Sequence, residues 1–495
     1  MRSVVTSEEM RAYEQALFSS GAETGESLME RAAEGVAAYI LQHPRTGRVL
    51  LVCGCGNNGG DGLAALRLLH QAGRNALGIL VGDPNRLKGD ALLNYRRALD
   101  AGCRIEPGFP DTLPTDVGWL VDALFGTGLN RTVTGASAYA VQAMNASDAP
   151  ILSVDIPSGV DASTGEILGE AVRADVTVTF QFPKRGHLLF PGRERTGMLV
   201  IHPLTDNKGD TGVCWQDGAD IRTLLSDRPL SSHKGMYGRA LLCVGSTAYT
   251  GAALLSASAA LRTGCGVLEA AVPRAVKSAF TALPEVCCTP VGMGGSWDDA
   301  ALKEAAARIP GKQALGIGSG MGELENSSLL EAALLAHIPL VLDADALNHM
   351  ARHPDLLNAL HGKVVLTPHP LEMSRLTGLS VLEITRDPIA IAKTYSAKWH
   401  CVVLLKGATT CISDGANVYL NTTGNPGLSK GGSGDVLTGI ITGLLAQGLS
   451  PLDGARAGAY LLGVSAVEAL ELLKTRALTA GDVIDAIRAS IRTEE

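Results

Sequence analysis

The stretch from Asn425 to Leu445, NPGLSKGGSGDVLTGIITGLL, limits most what this chain can fold into. Gly431, Gly432 and Gly434 flank Ser433 and end at Asp435, and the apolar run beyond has the spacing of a buried helix. A glycine loop that opens a helix lets consecutive N–H groups turn toward one anion at the helix's positive end, and a phosphate suits that place. An aspartate there repels the anion unless it has a task, such as taking the proton of a hydroxyl that attacks phosphorus. Asp435 is therefore the first candidate catalytic residue. The competing reading is an acid that complements the helix dipole, worth ~0.3–1 kcal/mol. Gly439 and Gly443 share one face, and each costs ~1 kcal/mol against alanine in a helix, so that face is expected to pack closely on a neighbour.

A chain of 495 residues exceeds one ordinary core, so two or more domains are expected. Hydrophobic residues at 46% and charged residues at 19% fit a soluble globular protein, and a formal charge of −8 without a basic run argues against nucleic acid as a partner. The start, MRSVVTSEEMRAYEQ, has no basic end followed by an apolar core, and no window offers ~18 uninterrupted apolar residues, so no membrane is expected and the cytoplasm is the default. Self-association is left open. The ten cysteines show no CxxC pair and no histidine at zinc spacing, and are read as reduced core residues. Many glycines (58) and few aromatics (4%) suit an α/β protein with tight strand-to-helix turns.

Residues 3–41 read as helical, with a start near Ser7. VLLVCGCGNNGGDGLAALRLL then joins a buried strand, Val49–Cys53, to a glycine turn and an amphipathic helix, the βα unit of a doubly wound fold. Residues 54–59 match GxGxxG and Asp83 follows the next strand, so dinucleotide binding by a dehydrogenase is one alternative. Gly60 and Asp61 oppose it, because a carboxylate there repels a pyrophosphate, whereas Asn57, Asn58 and Asp61 offer oxygens to a hard cation or a ribose. Asp122 after WLV, then Asp155 and Ser158 after ILSV, stand at further strand ends, where ligands of open α/β sheets bind. DVTVTFQFPKRGHLLFPGRERTGMLVIHPL reads as alternating strands with turns at Pro183 and Pro191. The polar stretch from Thr205 to Asp217 marks the boundary, giving domains at 1–206 and 216–495.

In the second half, strands ending at Val244, in ALGIGSGMG, before Asp343 and Asp345, before His369 and at Lys406 repeat the pattern. Lys406, Thr409 and Thr410 give one cation and two hydroxyls for a polyphosphate without Walker A spacing.

The stretch around Asp435 resembles the GG-S/T-GD signature of ribokinase-like enzymes. NNGGDG, VDALFGTGL and SVDIPSGVD, in that order before it, resemble the epimerase half of the bifunctional NAD(P)H-hydrate repair enzymes. The resemblance covers nearly the whole chain and implies a Rossmann-like doubly wound α/β domain followed by a ribokinase-like α/β domain. It implies that hydrated NADH or NADPH is bound by Asn57, Asn58, Gly59, Gly60 and Asp61, and by Gly126, Thr127, Gly128, Leu129, Asn130, Arg131 and Thr132. Asp155 is then the acid/base, and Asn58, Asp122 and Ser158 hold a potassium ion (K+). In the second domain it implies ADP at Lys406, Gly407, Ala408, Thr409, Thr410 and Gly434, with Mg2+ bridging the phosphates. The hydrated nicotinamide then lies at Ala252, Gly322, His369 and the base Asp435. The implied activity is epimerisation of the R and S hydrates and ADP-dependent dehydration of the S form. Leu371 stands where the family more often has glycine. Two alternatives stay open, a ribokinase-like small-molecule kinase fused to a Rossmann-like domain, and a nucleotide-binding scaffold that senses a metabolite without turnover.

Overall fold

The apolar strand before NNGGDG forms β1 (Arg48–Cys53), and its alternate side chains serve two cores. Val49, Leu51 and Cys53 pack under helices α2 (Gly25–Gln42) and α3 (Asn57–Gln71), while Leu50 and Val52 pack under a later helix. The structure, a computed structural model, describes residues 1–494 except 111, 208, 226, 472 and 473. It divides into two compact units, Arg2–Thr211 and Gly212–Glu495 together with Met1.

In the first unit β1 is joined by β2 (Ala76–Leu80), β3 (Arg104–Pro107), β4 (Val117–Ala123), β5 (Ile151–Val154), β6 (Val176–Phe180) and β7 (Met198–His202). The sheet order is β3-β2-β1-β4-β5-β6-β7, with every pairing parallel. Helices α2, α3 and α4 (Gly89–Asp100) cover one face and α5 (Gly135–Asn145) the other, which is the doubly wound arrangement. The amino-terminal helical region is two helices, α1 (Ser7–Ser19) and α2, each opened by a threonine capping box, Thr6 with Glu9 and Thr24 with Ser27. Strand order reverses beside β1, so the loops after β1 and β4 flank the crevice where ligands of such sheets bind. Residue type alternates along VTVTF but exposure does not, because β6 is covered on both faces and buried at every position.

The second unit contains β8 (Val213–Trp215), β9 (Arg239–Cys243), β10 (Val267–Pro273), β11 (Cys287–Val291), β12 (Ala314–Ile317), β13 (Leu340–Leu342), β14 (Val364–Leu366), β15 (Val402–Leu405), β16 (Thr410–Ser413) and β17 (Val418–Asn421). They run in the order β8-β17-β16-β15-β14-β13-β12-β9-β10-β11. The pairings of β16 with β15 and β17 are antiparallel and the rest are parallel. The polar stretch read as a boundary thus contains a strand, since Val213–Trp215 pairs along β17 and belongs to the second unit. No helix among the described residues is long and apolar enough to cross a membrane.

The glycine stretch becomes α9 (Ser433–Ala446), after α6 (Thr250–Arg262), α7 (Ala344–Arg352) and α8 (Pro370–Thr377), and before α10 (Pro451–Glu468). A Cβ at Gly439 would lie 2.1 Å from the Ser256 carbonyl oxygen of α6, and one at Gly443 would lie 2.6 Å from Thr263 Oγ1. Close helix approach fixes α9 under the sheet and so fixes the direction of its amino-terminal end. Gly439→Ala is therefore expected to lower the melting temperature of this unit. Overpacking costs ~1–3 kcal/mol, more than the ~1 kcal/mol that alanine returns in helix propensity. A melting curve that rises on this substitution contradicts the packing.

Candidate functional sites

The crevice of the first unit is a cavity of about 970 Å3, within the range of small-molecule sites. Asn57, Asn58, Asp61, Asp155 and the loop residues Gly126, Thr127, Gly128, Leu129, Asn130 and Arg131 line it. Asn57 and Asn58 already stand in the first turn of α3, whose amino end is Gly56, and Asp61 follows one turn on. Gly59 and Gly60 are buried behind that surface, and a Cβ at Gly59 would meet the Gly54 carbonyl oxygen at 1.8 Å, so glycine is required there for packing. Thr132 lies apart from the lining, against Gly169. Asp83 caps the short turn at Pro84–Arg86 by accepting from Asn85 N at 2.9 Å, and it stands outside the cavity lining.

Asp155 sits just past β5 with φ +66°, a left-handed conformation uncommon outside glycine and often found at functional sites. Lys184 Nζ donates to its Oδ1 at 2.5 Å, and also to Thr179 Oγ1 at 2.8 Å and the Phe180 carbonyl at 3.1 Å. Thr179 Oγ1 donates to the same Asp155 oxygen at 3.2 Å. Burial alone would raise Asp155, but the Lys184 ammonium outweighs it and holds the carboxyl below its ordinary range. His187, buried and pushed down to about 3, is neutral and touches the Asp155 carbonyl through Nε2 at 2.9 Å.

Asp122 is wholly buried at the end of β4. It accepts from Ser153 Oγ at 2.8 Å, Ser158 N at 2.9 Å and Ser158 Oγ at 2.6 Å. Ser158 Oγ in turn lies 3.2 Å from the Phe125 carbonyl, and Asn58 packs against Gly126 of the same loop with its Nδ2 buried and unpaired. Asn58, Asp122 and Ser158 are therefore neighbours of one loop, and the groups there are a carboxylate, a hydroxyl, an amide and a main-chain carbonyl. Burial raises Asp122, and its hydrogen bonds work against that rise.

In the second unit the functional candidates follow the carboxyl ends of adjacent parallel strands. Ser319 follows β12, Asp343 follows β13, His369 follows β14 and Lys406 follows β15. Lys406 Nζ donates to Asp343 Oδ1 at 2.8 Å and lies 3.7 Å from Glu372 Oε2. Burial would lower Lys406, but these two carboxylates outweigh it and hold the ammonium above its ordinary range. Asp343 also accepts from Thr438 Oγ1 of α9 at 3.0 Å, and a Cβ at Gly434 would lie 3.4 Å from Asp343 Oδ2 and 3.6 Å from Lys406 Nζ. Gly434 and Asp435 are thereby brought against Lys406.

The first hydrogen bond within α9 runs from Val436 N to the Gly432 carbonyl at 3.0 Å, and no side chain caps the end. The N–H groups of Ser433, Gly434 and Asp435 stay open to an anion. Burial first, then Asp343, push Asp435 up to about 6. Ser319 lies close enough to oppose this, although its Oγ makes no hydrogen bond of normal geometry. His369 caps α8, accepting at Nδ1 from Leu371 N and Glu372 N, while Glu372 accepts from His369 N at 2.8 Å. Leu371 is exposed in this turn, which therefore forms without the glycine. Gly322 N donates to Asp345 Oδ2 at 2.7 Å, and Ala252 lies against Gly320 of the same loop. Gly407 and Ala408 are exposed in the turn after Lys406, Thr409 is buried and Thr410 opens β16.

Relatives match over both units. A bifunctional NAD(P)H-hydrate repair enzyme of Moorella thermoacetica is 38% identical over 94% of this chain and 92% of its own length, and one of Thermofilum pendens is 36% identical over the same shares. The chain belongs to the bifunctional NAD(P)H-hydrate repair enzymes. The family model described as NAD(P)H-hydrate dehydratase matches residues 240–489, and the model of the YjeF-related protein N-terminus matches residues 25–186. Among solved structures, an ADP/ATP-dependent NAD(P)H-hydrate dehydratase of Bacillus subtilis, co-crystallised with ATP and Mg2+, is 32% identical. It covers 56% of this chain and 98% of its own at a TM-score of 0.50. A ribokinase-like superfamily protein of Enterococcus faecalis has the same fold in the second unit, at 24% identity and a TM-score of 0.50 over 59% of this chain and 99% of its own.

Within this repair enzyme, the reading of the sequence missed Lys184, Thr179 and Glu372, and passed over Asp343 as one acid of a strand end. Lys184 left one signal, a lysine directly after the proline that follows a strand. Lys184→Met is expected to raise the pKa of Asp155, the Lys184 ammonium being what depresses it, and to cost ~3–5 kcal/mol of stability by stranding a buried charge. Carboxyl NMR titration and denaturant melts check both, and an unshifted Asp155 contradicts the pairing.

Proposed function

We propose that the two reactions of NAD(P)H-hydrate repair are divided between the units, with R and S hydrates interconverted in the first-unit cavity and the S hydrate dehydrated with ADP at the amino end of α9. The epimerase takes the first unit and the dehydratase the second, which includes Val213–Trp215 and so begins earlier than the limits read from the sequence, 1–206 and 216–495. The observation that carries the second assignment is Asp435 beside Lys406, under three open helix N–H groups. Asp435 accepts the proton of the C6 hydroxyl as its oxygen attacks the terminal phosphate of ADP. The N–H groups of residues 433–435 and the Lys406 ammonium face the charge that develops on the transferring group. AMP is the leaving group of that transfer. The C6–O bond then breaks with phosphate departing, a proton leaves C5 to solvent, and the C5–H electron pair becomes the C5–C6 double bond. Gly322, His369 and Ala252 bound the nicotinamide side, and residues 406–410 with Gly434 the nucleotide side. Among the described residues no three acidic, histidine or cysteine side chains are arranged to hold a metal ion by themselves, so a Mg2+ ion here would be held chiefly by the phosphates, whose charge it would neutralise.

In the first unit Asp155 is the acid/base, held ionised by Lys184. Asn58, Asp122 and Ser158, with the Phe125 carbonyl, fit a potassium ion, since they offer oxygens with a single carboxylate and no sulfur. Such an ion would fix the loop after β4 that bounds the cavity.

Asp435→Asn keeps the shape but cannot take a proton, so ADP-dependent dehydration of the S hydrate is expected to fall ~10²–10⁴-fold while ADP affinity holds or tightens. In the unaltered chain the rate should fall as pH drops below about 6, where Asp435 becomes protonated. Near-normal turnover with a lowered melting temperature assigns Asp435 to helix capping and sinks the mechanism. Asp122→Ala is expected to abolish epimerisation and spare dehydration; normal R-to-S exchange in that variant with sodium as the sole monovalent cation removes the potassium site.

A further inference from the structure

The cavity of the first unit holds more acid than one base requires. Asp61 of α3 faces the same space as Asp155, and Glu14 of α1 and Lys184 share the lining. Asp155 is tied to Lys184 and Thr179, whereas no hydrogen bond holds the Asp61 carboxyl among the described residues. Burial, then the nearby Asp155 and Glu14, push Asp61 well above the usual carboxylate range, and Lys184 opposes them in part. The same Lys184 draws Asp155 the other way. Two carboxyls whose surroundings drive them apart supply an acid and a base in one site at neutral pH.

We propose that Asp61 is a second catalytic residue of the epimerase site, delivering a proton to the hydroxyl on the substrate's chiral carbon while Asp155 serves as the base. The inference rests on the assignment of epimerisation to this cavity. The hydrate carries its hydroxyl on C6, beside ring nitrogen N1. Asp61 gives its proton to that oxygen, the C6–O bond breaks with water as the leaving group, and the N1 lone pair forms the C6–N1 double bond of a cation. Water then adds to C6 from the other face, Asp155 takes one of its protons, and the π electrons return to N1. One water leaves and one enters, so nothing is oxidised or reduced. The proton gained by Asp155 returns to Asp61 through solvent before the next turnover.

The charged groups that face Asp61 are Glu14 and Arg11 from α1, with Asp155 and Lys184 from the loops beyond β5 and β6. Arg86, Asp90 and Arg131 stand in the remaining wall. The pH dependence of kcat/KM for R-to-S exchange, measured on the full chain and on Asp61→Asn and Glu14→Gln variants, tests the role. The unaltered chain should give a bell, with the base ionising on the acid limb and the acid losing its proton on the alkaline limb. Asp61→Asn should lose the alkaline limb and ~10²–10⁴ in rate with little change in KM. Glu14→Gln removes a negative neighbour and should move the alkaline limb to lower pH. A raised KM or lowered melting temperature with the alkaline limb in place makes Asp61 a binding or structural residue and overturns the proposal. If Asp61→Asn does not fold, an unmoved alkaline limb in Glu14→Gln overturns it equally. Exchange that ignores Asp61 defeats this inference alone; an unaltered chain that exchanges nothing defeats the epimerase assignment with it.

Discussion

Each unit turns on a lysine ammonium pressed against an aspartate at the end of a parallel strand. Lys184 lies 2.5 Å from Asp155, and Lys406 lies 2.8 Å from Asp343. A charge in such surroundings is tolerated only when it is paired, so each lysine decides which nearby carboxyl is ionised. In the first unit the paired acid, Asp155, is the proposed base, and Asp61 beyond the lysine's direct reach is driven up. In the second the paired acid, Asp343, anchors Lys406 and Thr438, and its negative charge helps raise Asp435 to about 6. The same device thus yields a depressed base in one unit and a base poised near neutrality in the other.

The sheets make these pairs possible. Parallel strands covered on both faces send all their carboxyl ends to one edge, where residues distant in sequence meet without long loops. Ser319, Asp343, His369 and Lys406 come from four adjacent strands in this way. The close seat of α9 on α6 then determines where the last member arrives. Glycines at 439 and 443 remove the side chains that would hold the helices apart, and Gly434 leaves room beside Asp343 and Lys406.

Much of this was legible because it depends on local chemistry. The strand before NNGGDG, the glycine loop before Asp435 and the close-packed face of α9 each follow from period, turn residues and the special freedom of glycine. Asp122, Asp155 and Ser158 stood out as polar residues where apolar strands stop. What sequence could not yield is partnership across the fold. Lys184 reads as an ordinary surface lysine until the turn after β6 brings it inward to Asp155, and Glu372 reads as a helix acid until Lys406 arrives from another strand. The strand Val213–Trp215 hid in a polar stretch because three residues are too few for a period, and only its pairing with β17 defines it. Gly59 and Gly60 show the converse, a motif whose letters suggest contact with a ligand but whose close packing lies behind the site.

The division of labour between the two carboxylates is the central claim, and one end-point measurement addresses it. An equal mixture of R and S hydrates is incubated with ADP, Mg2+ and the full chain, and the yield of reduced nicotinamide is followed by absorbance. The unaltered protein should recover both forms, whereas Asp155→Asn should recover the S share quickly and leave the R share to spontaneous exchange. Recovery of both shares by Asp155→Asn at the unaltered rate would contradict the account.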